Sequence, residues 1–155
     1  MPLLKQLSLF LENEPGHLKV PCQALGRAGI DILTMSLADT QQFGILRLVV
    51  RDWEKAKGIL EDAGCVVTVT DLLAIEVQDR PGGLAELLER FEAAKLGVEY
   101  LYPLPSGGTG GTMVLVFRLE DPPAAAARLR GAGVRVLDRS EVFARLAGKG
   151  DLPER

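Results

Sequence analysis

Two short stretches hold the groups best suited to grip a small charged molecule. Asn13-Glu14-Pro15-Gly16-His17-Leu18 and Asp79-Arg80-Pro81-Gly82-Gly83-Leu84 share an amide or carboxylate side chain, a Pro-Gly pair and a leucine at the same spacing. Proline fixes the approach of the chain, and glycine, having no Cβ, lets a ligand come close to the backbone. If each stretch opens a helix, the N–H groups of Gly16, His17 and Leu18, and of Gly82, Gly83 and Leu84, lie unpaired at its N-terminus. Such donors suit a carboxylate, through hydrogen bonding and the helix dipole. Asn13 and Asp79 offer side-chain oxygens to an ammonium group. The same residues also make ordinary helix caps on tight turns, and spacing alone leaves both readings open.

Other candidate chemistry is weaker. His17 is the sole histidine; with no His/Cys cluster a zinc site is not expected, and with no nucleophile motif beside it general-base work has little support. Cys22 and Cys65 lack metal-type spacing and read as small, partly buried core residues. Ser106-Gly107-Gly108-Thr109-Gly110-Gly111-Thr112 suggests a phosphate cradle, but it leads into a strand and no Lys-[Ser/Thr] follows it. A mobile hairpin loop is the expectation there. Tyr100 and Tyr102, flanking Leu101 on one strand, put two rings on one face, where they would line an apolar pocket or serve as sheet aromatics. No cofactor loop, metal set or acid/base pair emerges, so neither a cofactor nor catalysis is expected.

The two motifs recur because the whole chain does. Leu7, Leu9, Leu11, Pro15, Gly16 and Leu18 reappear at one constant offset as Leu73, Ile75, Val77, Pro81, Gly82 and Leu84. Leu46, Leu48, Val50, Asp52, Leu60 and Gly64 reappear, three residues further displaced, as Leu115, Phe117, Leu119, Asp121, Leu129 and Gly133. Alternation over Leu7–Leu11 reads as a strand. An amphipathic helix follows with Leu18, Cys22, Leu25 and Ala28 on one face, Pro21 in its first turn and Gly29 at its end. Strands over Ile30–Leu37 and Gly44–Val50, a helix over Trp53–Ala63 capped by Asp52, and a short strand over Cys65–Val69 complete the copy. The second copy gives strand Leu72–Val77, helix Leu84–Lys95 closed by Gly97, strands Val98–Pro103 and Met113–Leu119, an Asp121-capped helix, and strand Val134–Leu137. Asp71 is the only polar punctuation between the copies, and Ser140–Ala147 suggests a short extra helix.

The β-α-β-β-α-β order, twice, predicts an α+β protein of two ferredoxin-like units, residues 1–71 and 72–145, with a flexible tail over 146–155. A unit of this size is marginal alone, burying only about 60% of its unfolded surface, so the two sheets are expected to join edge to edge. Four helices on one face would leave apolar surface for a second copy of the chain, as a homodimer, or for a metabolic enzyme to cover. A formal net charge of −3, without basic runs, argues against a nucleic-acid partner. No apolar stretch suits a membrane and no leader is evident, so a cytoplasmic location is expected.

At its turns the chain resembles the ACT domain, a βαββαβ regulatory module that binds amino acids. Glu12–Leu18 and Gln78–Leu84 look like the [Asn/Asp]-x-Pro-Gly-x-Leu signature of that family, and Ser36-Leu37-Ala38-Asp39-Thr40 with Phe43–Leu48 looks like a group of stand-alone tandem ACT proteins. The resemblance spans roughly residues 5–143. It implies two units side by side in one continuous eight-stranded antiparallel sheet, helices on one face, and a free amino acid bound at the seam. Carried onto this chain, Asn13, Gly16, His17 and Leu18 would face Tyr100, Leu101 and Tyr102. Asp79, Gly82, Gly83 and Leu84 would face Leu33, Thr34, Met35 and Ser36. The implied role is a non-enzymatic sensor. The alternatives are a detached regulatory subunit, as for acetolactate synthase, and a small ferredoxin-like enzyme using His17.

Overall fold

The structure, a computed structural model, describes residues 2–12, 14–39, 42–105 and 107–147. The chain forms two compact units, Lys5–Thr70 (the first unit) and Met1–Leu4 together with Asp71–Arg155 (the second). Among the described residues there are seven strands and five helices.

In the first unit, β1 (Leu4–Glu12) and β2 (Thr34–Asp39) flank β3 (Phe43–Val49), both antiparallel to it. Leu7 lies opposite Leu48 and Leu9 opposite Leu46, so one pleat face carries all four leucines. Helices α1 (Lys19–Arg27) and α2 (Trp53–Asp62) cover that face and close a core with Leu25, Ala56 and Leu60. Pro21 sits in the first turn of α1, where no intrahelical bond is lost. Leu18, expected on the apolar face, is 42% exposed because α1 begins only after it. The expected strand over Ile30–Leu37 starts at Thr34 instead. Ile30 and Ile32 are spent as packing residues from the connection, against the core.

The expected strands Cys65–Val69 and Leu72–Val77 are one strand, β4 (Val67–Gln78), so eight strands become seven. The reason is legible afterwards: no glycine or proline separates the β-branched run from the apolar run, and Asp71 alone does not break a strand. In the second unit β4 pairs antiparallel with β6 (Thr112–Arg118) and with the two-residue β7 (Val136–Leu137), and β6 pairs with β5 (Tyr100–Leu104). Leu73, Ile75, Leu115 and Phe117 pack against α3 (Gly83–Ala93) and α4 (Pro122–Gly131), with Phe91 and Phe117 rings 5.1 Å apart. Leu3 joins this core from the start of the chain.

Helix α3 stops earlier than expected. Lys95 at φ 56°, not Gly97, ends it, with the N–H of Leu96 bonded to Phe91 O at 2.9 Å. Gly29, Gly64 and Gly133 fill the same left-handed position after the other three of these helices.

Helices on one face only is also corrected. Helix α5 (Arg139–Ala147) begins in a reciprocal capping box: Asp138 Oδ1 accepts from Glu141 N–H at 2.9 Å and Glu141 Oε2 accepts from Asp138 N–H at 3.3 Å. It is anchored to the β4 face opposite α3 and α4, where Arg145 Nη2 meets Glu76 Oε2 at 2.8 Å. Leu72, Ala74, Val114 and Val116 on that face are all buried. The corresponding face of the first unit leaves Phe10 59% and Phe43 50% exposed. Most of the expected C-terminal tail lies outside the described residues.

Candidate functional site

The four helices that complete the two βαββαβ sets begin in two different ways. Helices α2 and α4 start conventionally, the carboxylate of Asp52 accepting from Lys55 N–H at 3.2 Å and that of Asp121 from Ala124 N–H at 3.4 Å. Helices α1 and α3, which follow the Pro-Gly turns, have Leu18 and Gly82 at the cap position and no side-chain cap at all. Asp79 therefore does not cap α3, and the ordinary explanation for that residue fails. Its own N–H instead donates to Gly111 O at 2.9 Å. Asn13 lies outside the described residues.

Both turns need their glycine: Gly16 has φ 90° and Gly82 φ 83°, a region where a Cβ is disfavoured. Not all six expected donors are available. His17 N–H is spent on Glu14 O at 3.2 Å, and Gly83 N–H on Arg80 O at 3.0 Å. The N–H groups of Gly16, Leu18, Gly82 and Leu84 find no backbone acceptor among the described residues. Pro15 and Pro81 are exposed, and Arg80 reaches forward to grip Glu86 through both carboxylate oxygens, at 3.0 and 2.7 Å.

The two turns differ where His17 is replaced by Gly83. A Cβ on Gly83 would sit 2.1 Å from Gln78 O, so the second turn is too tight for any side chain there. In the first turn the equivalent carbonyl, Glu12 O, receives His17 Nδ1 at 3.1 Å. His17 Nε2 lies 3.6 Å from Glu14 Oε2, and Glu12, Glu14 and His17 bring three donor atoms within 4.8 Å of one another.

Of the strand residues expected to complete the pockets, Thr34 is buried, Leu33 donates its N–H to Val49 O at 2.9 Å, Met35 is 49% exposed, and Ser36 lies opposite Arg47. Tyr100 and Tyr102 do share a face, their rings stacked at 6.4 Å and 19°, with Tyr102 buried and Leu101 on the opposite face. Leu33–Ser36 belong to the first unit and Tyr100–Tyr102 to the second, so neither set shares a unit with the turn it was expected to face.

Sequence reasoning missed the cleft beside the second turn. About 360 Å³ in volume, it is lined by Gln78, Gly83, Glu86, Arg90, Gly133 and Arg135 among others. The available signal was helical spacing, since Glu86 and Arg90 follow Gly83 on one face of α3. A larger cleft of about 440 Å³ lies at the other end of α3, around Lys95, Glu99, Asp121 and Arg128. It touches neither turn. The glycine-rich loop, expected to be mobile, is stitched down: Thr112 Oγ1 donates to Glu76 at 2.9 Å and Arg145 Nη1 to Gly107 O at 3.2 Å. The hydrogen bond from Arg145, with help from Thr112 and Thr109 and against some burial, holds the Glu76 carboxyl below its ordinary range. Burial pushes the Cys65 thiol up, away from nucleophilic use.

A doubled βαββαβ order with a Pro-Gly turn at the head of each first helix defines a tandem ferredoxin-like protein. The chain belongs to the ACT domain pair family, whose model matches residues 2–144. Among solved structures it is similar to protein BT0572 from Bacteroides thetaiotaomicron, at 30% identity over 91% of this chain and 96% of that one, with a TM-score of 0.82. Two regulatory subunits of aspartate kinase share the fold. The Thermus thermophilus protein is 15% identical over 84% of this chain and 93% of its own, and the Thermus flavus protein is 17% identical over 94% of each; both have TM-scores of 0.60. No curated protein sequence matches the chain. Among the described residues no helix is long and apolar enough to cross a membrane.

Proposed function

We propose that this chain is a non-catalytic regulatory protein that binds a free amino acid at the Pro-Gly turns. The observation that carries the reading is the contrast between its helix starts. Helices α2 and α4 each bond a first-turn N–H to their own aspartate, whereas no side chain among the described residues caps α1 or α3, and the N–H groups of Gly16, Leu18, Gly82 and Leu84 find no backbone acceptor there. The carboxylate of the amino acid would take the N–H groups of Gly16 and Leu18, or of Gly82 and Leu84. Its ammonium would take the side-chain oxygens of Asn13 or Asp79. Leu33, Thr34, Met35 and Ser36, and Tyr100, Leu101 and Tyr102, remain the proposed contacts for the side chain.

A thermal-shift screen of the chain against the twenty amino acids tests this. A true ligand at about 100 times its dissociation constant adds about 2.7 kcal/mol of stability, a shift of several degrees for a chain of this length. Gly16→Val and Gly82→Val should each weaken that response. If no amino acid shifts the melting temperature, or both variants respond as the parent does, the reading is wrong. The regulatory-subunit fold of the two aspartate kinase relatives favours one second reading, a detachable subunit of an amino-acid biosynthetic enzyme. Co-purification of such an enzyme with the chain from native extract would distinguish it from a free-standing cytoplasmic sensor.

A further inference from the structure

The first turn carries a chemistry that the second turn lacks. Glu12 at the end of β1, Glu14 in the turn and His17 before α1 converge an imidazole nitrogen and two carboxylate oxygens within 4.8 Å. A carbonyl oxygen can only accept, so the 3.1 Å contact of His17 Nδ1 with Glu12 O puts the ring proton on Nδ1. That leaves Nε2 facing a carboxylate oxygen, Glu14 Oε2, 3.6 Å away, a place that either a proton on the ring or a metal ion can fill. An imidazole oriented by an Nδ1–H bond to a backbone carbonyl is the usual state of a ligating histidine. Bonds of about 2.0–2.2 Å from zinc to nitrogen and oxygen place tetrahedral ligand atoms about 3.4 Å apart, close to the 3.6 Å between His17 Nε2 and Glu14 Oε2.

The second copy removes the set as a whole. Glu12, Glu14 and His17 become Gln78, Arg80 and Gly83. One position gains a cation, which pairs with Glu86, and another loses its side chain altogether.

We propose that Glu12, Glu14 and His17 form a site for a divalent transition-metal ion, bound through Nε2 and one oxygen of each carboxylate. The remaining coordination positions would be taken by water. An imidazole with two carboxylates suits zinc and its neighbours better than magnesium or calcium, which prefer oxygen alone. The site shares the first turn with the proposed amino-acid site, but zinc can be titrated with no amino acid present, so the two readings are tested separately.

The test uses the untagged full chain, stripped of metal, and zinc chloride alone. Since the chain has one histidine, the imidazole nitrogen resonances report a single side chain. The expected result is saturation at one zinc per chain, with a shift confined mainly to Nε2. His17→Gln and Glu14→Gln should each weaken zinc at least tenfold, with circular dichroism unchanged. Glu86→Gln, in the second turn, should leave it as it was. An unmoved Nε2 resonance, no saturation, or zinc binding that survives in both first-turn variants overturns the site. The last result would include capture of zinc by Cys22 or Cys65. A failed amino-acid screen beside a positive zinc titration would sink the proposed function and leave this site intact.

Discussion

Adding one methyl group to Gly83 tests the geometry of the second turn directly. The new Cβ would lie 2.1 Å from Gln78 O and 3.1 Å from Gln78 C, both backbone atoms that cannot swing aside. An unstrained carbon–oxygen contact is about 3.3 Å or longer, so the turn must open by about 1 Å. Opening strains the bonds of Arg80 N–H to Gln78 O and of Gly83 N–H to Arg80 O, each 3.0 Å long. Overpacking of this kind costs about 1–3 kcal/mol, and each weakened hydrogen bond adds about 0.5–1.5 kcal/mol. Gly83→Ala should therefore lose about 2–4 kcal/mol, which at about 2–4 °C per kcal/mol for a chain of this size lowers Tm by on the order of 10 °C. Gly82→Ala is the internal comparison. Its Cβ would meet nothing within 4 Å, so only the left-handed φ of 83° is at stake, about 1–2 kcal/mol. Urea unfolding followed by circular dichroism ranks the two. If Gly83→Ala loses no more than Gly82→Ala, the close approach to Gln78 is wrong, and so is the account of why the second turn excludes an imidazole.

Three further outcomes follow from the same geometry. Lys95→Gly should raise stability by about 0.5–1 kcal/mol, the relief of a left-handed side-chain residue less the added freedom of glycine in the unfolded chain; a loss in thermal unfolding would contradict it. Glu76 has a depressed carboxyl, so its contribution to stability is complete above the ordinary carboxylate value of 4.5 and is lost as the pH falls below it toward the folded-state value. Glu76→Gln should therefore flatten the acid side of the stability-against-pH curve, and an unchanged acid limb would refute the pairing with Arg145. Once the amino-acid ligand is found, Asp79→Ala should weaken it more than Asn13→Ala, because a charge-assisted hydrogen bond is about twice as strong as a neutral one; calorimetric titration giving the reverse order would move the ammonium elsewhere.

What the sequence showed well was what local chemistry decides. Asp52 before an amphipathic run and Gly64 after it bounded α2 to within a residue, because capping is a short-range interaction. The repeated Pro-Gly turns were visible for the same reason, and their left-handed glycines are where spacing placed them. Lys95 ending α3 was not visible, since the residue there is chosen by packing around the helix end and glycine two positions later offered a better local reason to stop. Nor could alternation alone say that Leu72, Ala74 and Val116 would be buried on the second face of their sheet. That depends on α5, whose own signal was the Asp138–Glu141 capping pair. The tightness of the turn at Gly83 is a matter of hundredths of a nanometre between backbone atoms, below the grain of any residue pattern.

The second unit is assembled from both ends of the described chain, and this sets an order for its making. Leu3 lies in its core, and the Arg139 guanidinium and N–H reach back to Leu3 O and Pro2 O, contacts that join the two ends of the described chain. The first unit, one contiguous run from Lys5 to Thr70, is complete as soon as that run has left the ribosome. The second must hold its opening residues unsatisfied until α5 is synthesised, and contacts of such long sequence separation are the slow ones in folding. Portability is therefore unequal. A fragment cut to residues 5–70 keeps every residue of its own unit, whereas one starting at Asp71 loses Leu3 from its interior and leaves the Arg139 guanidinium without the carbonyl that receives it.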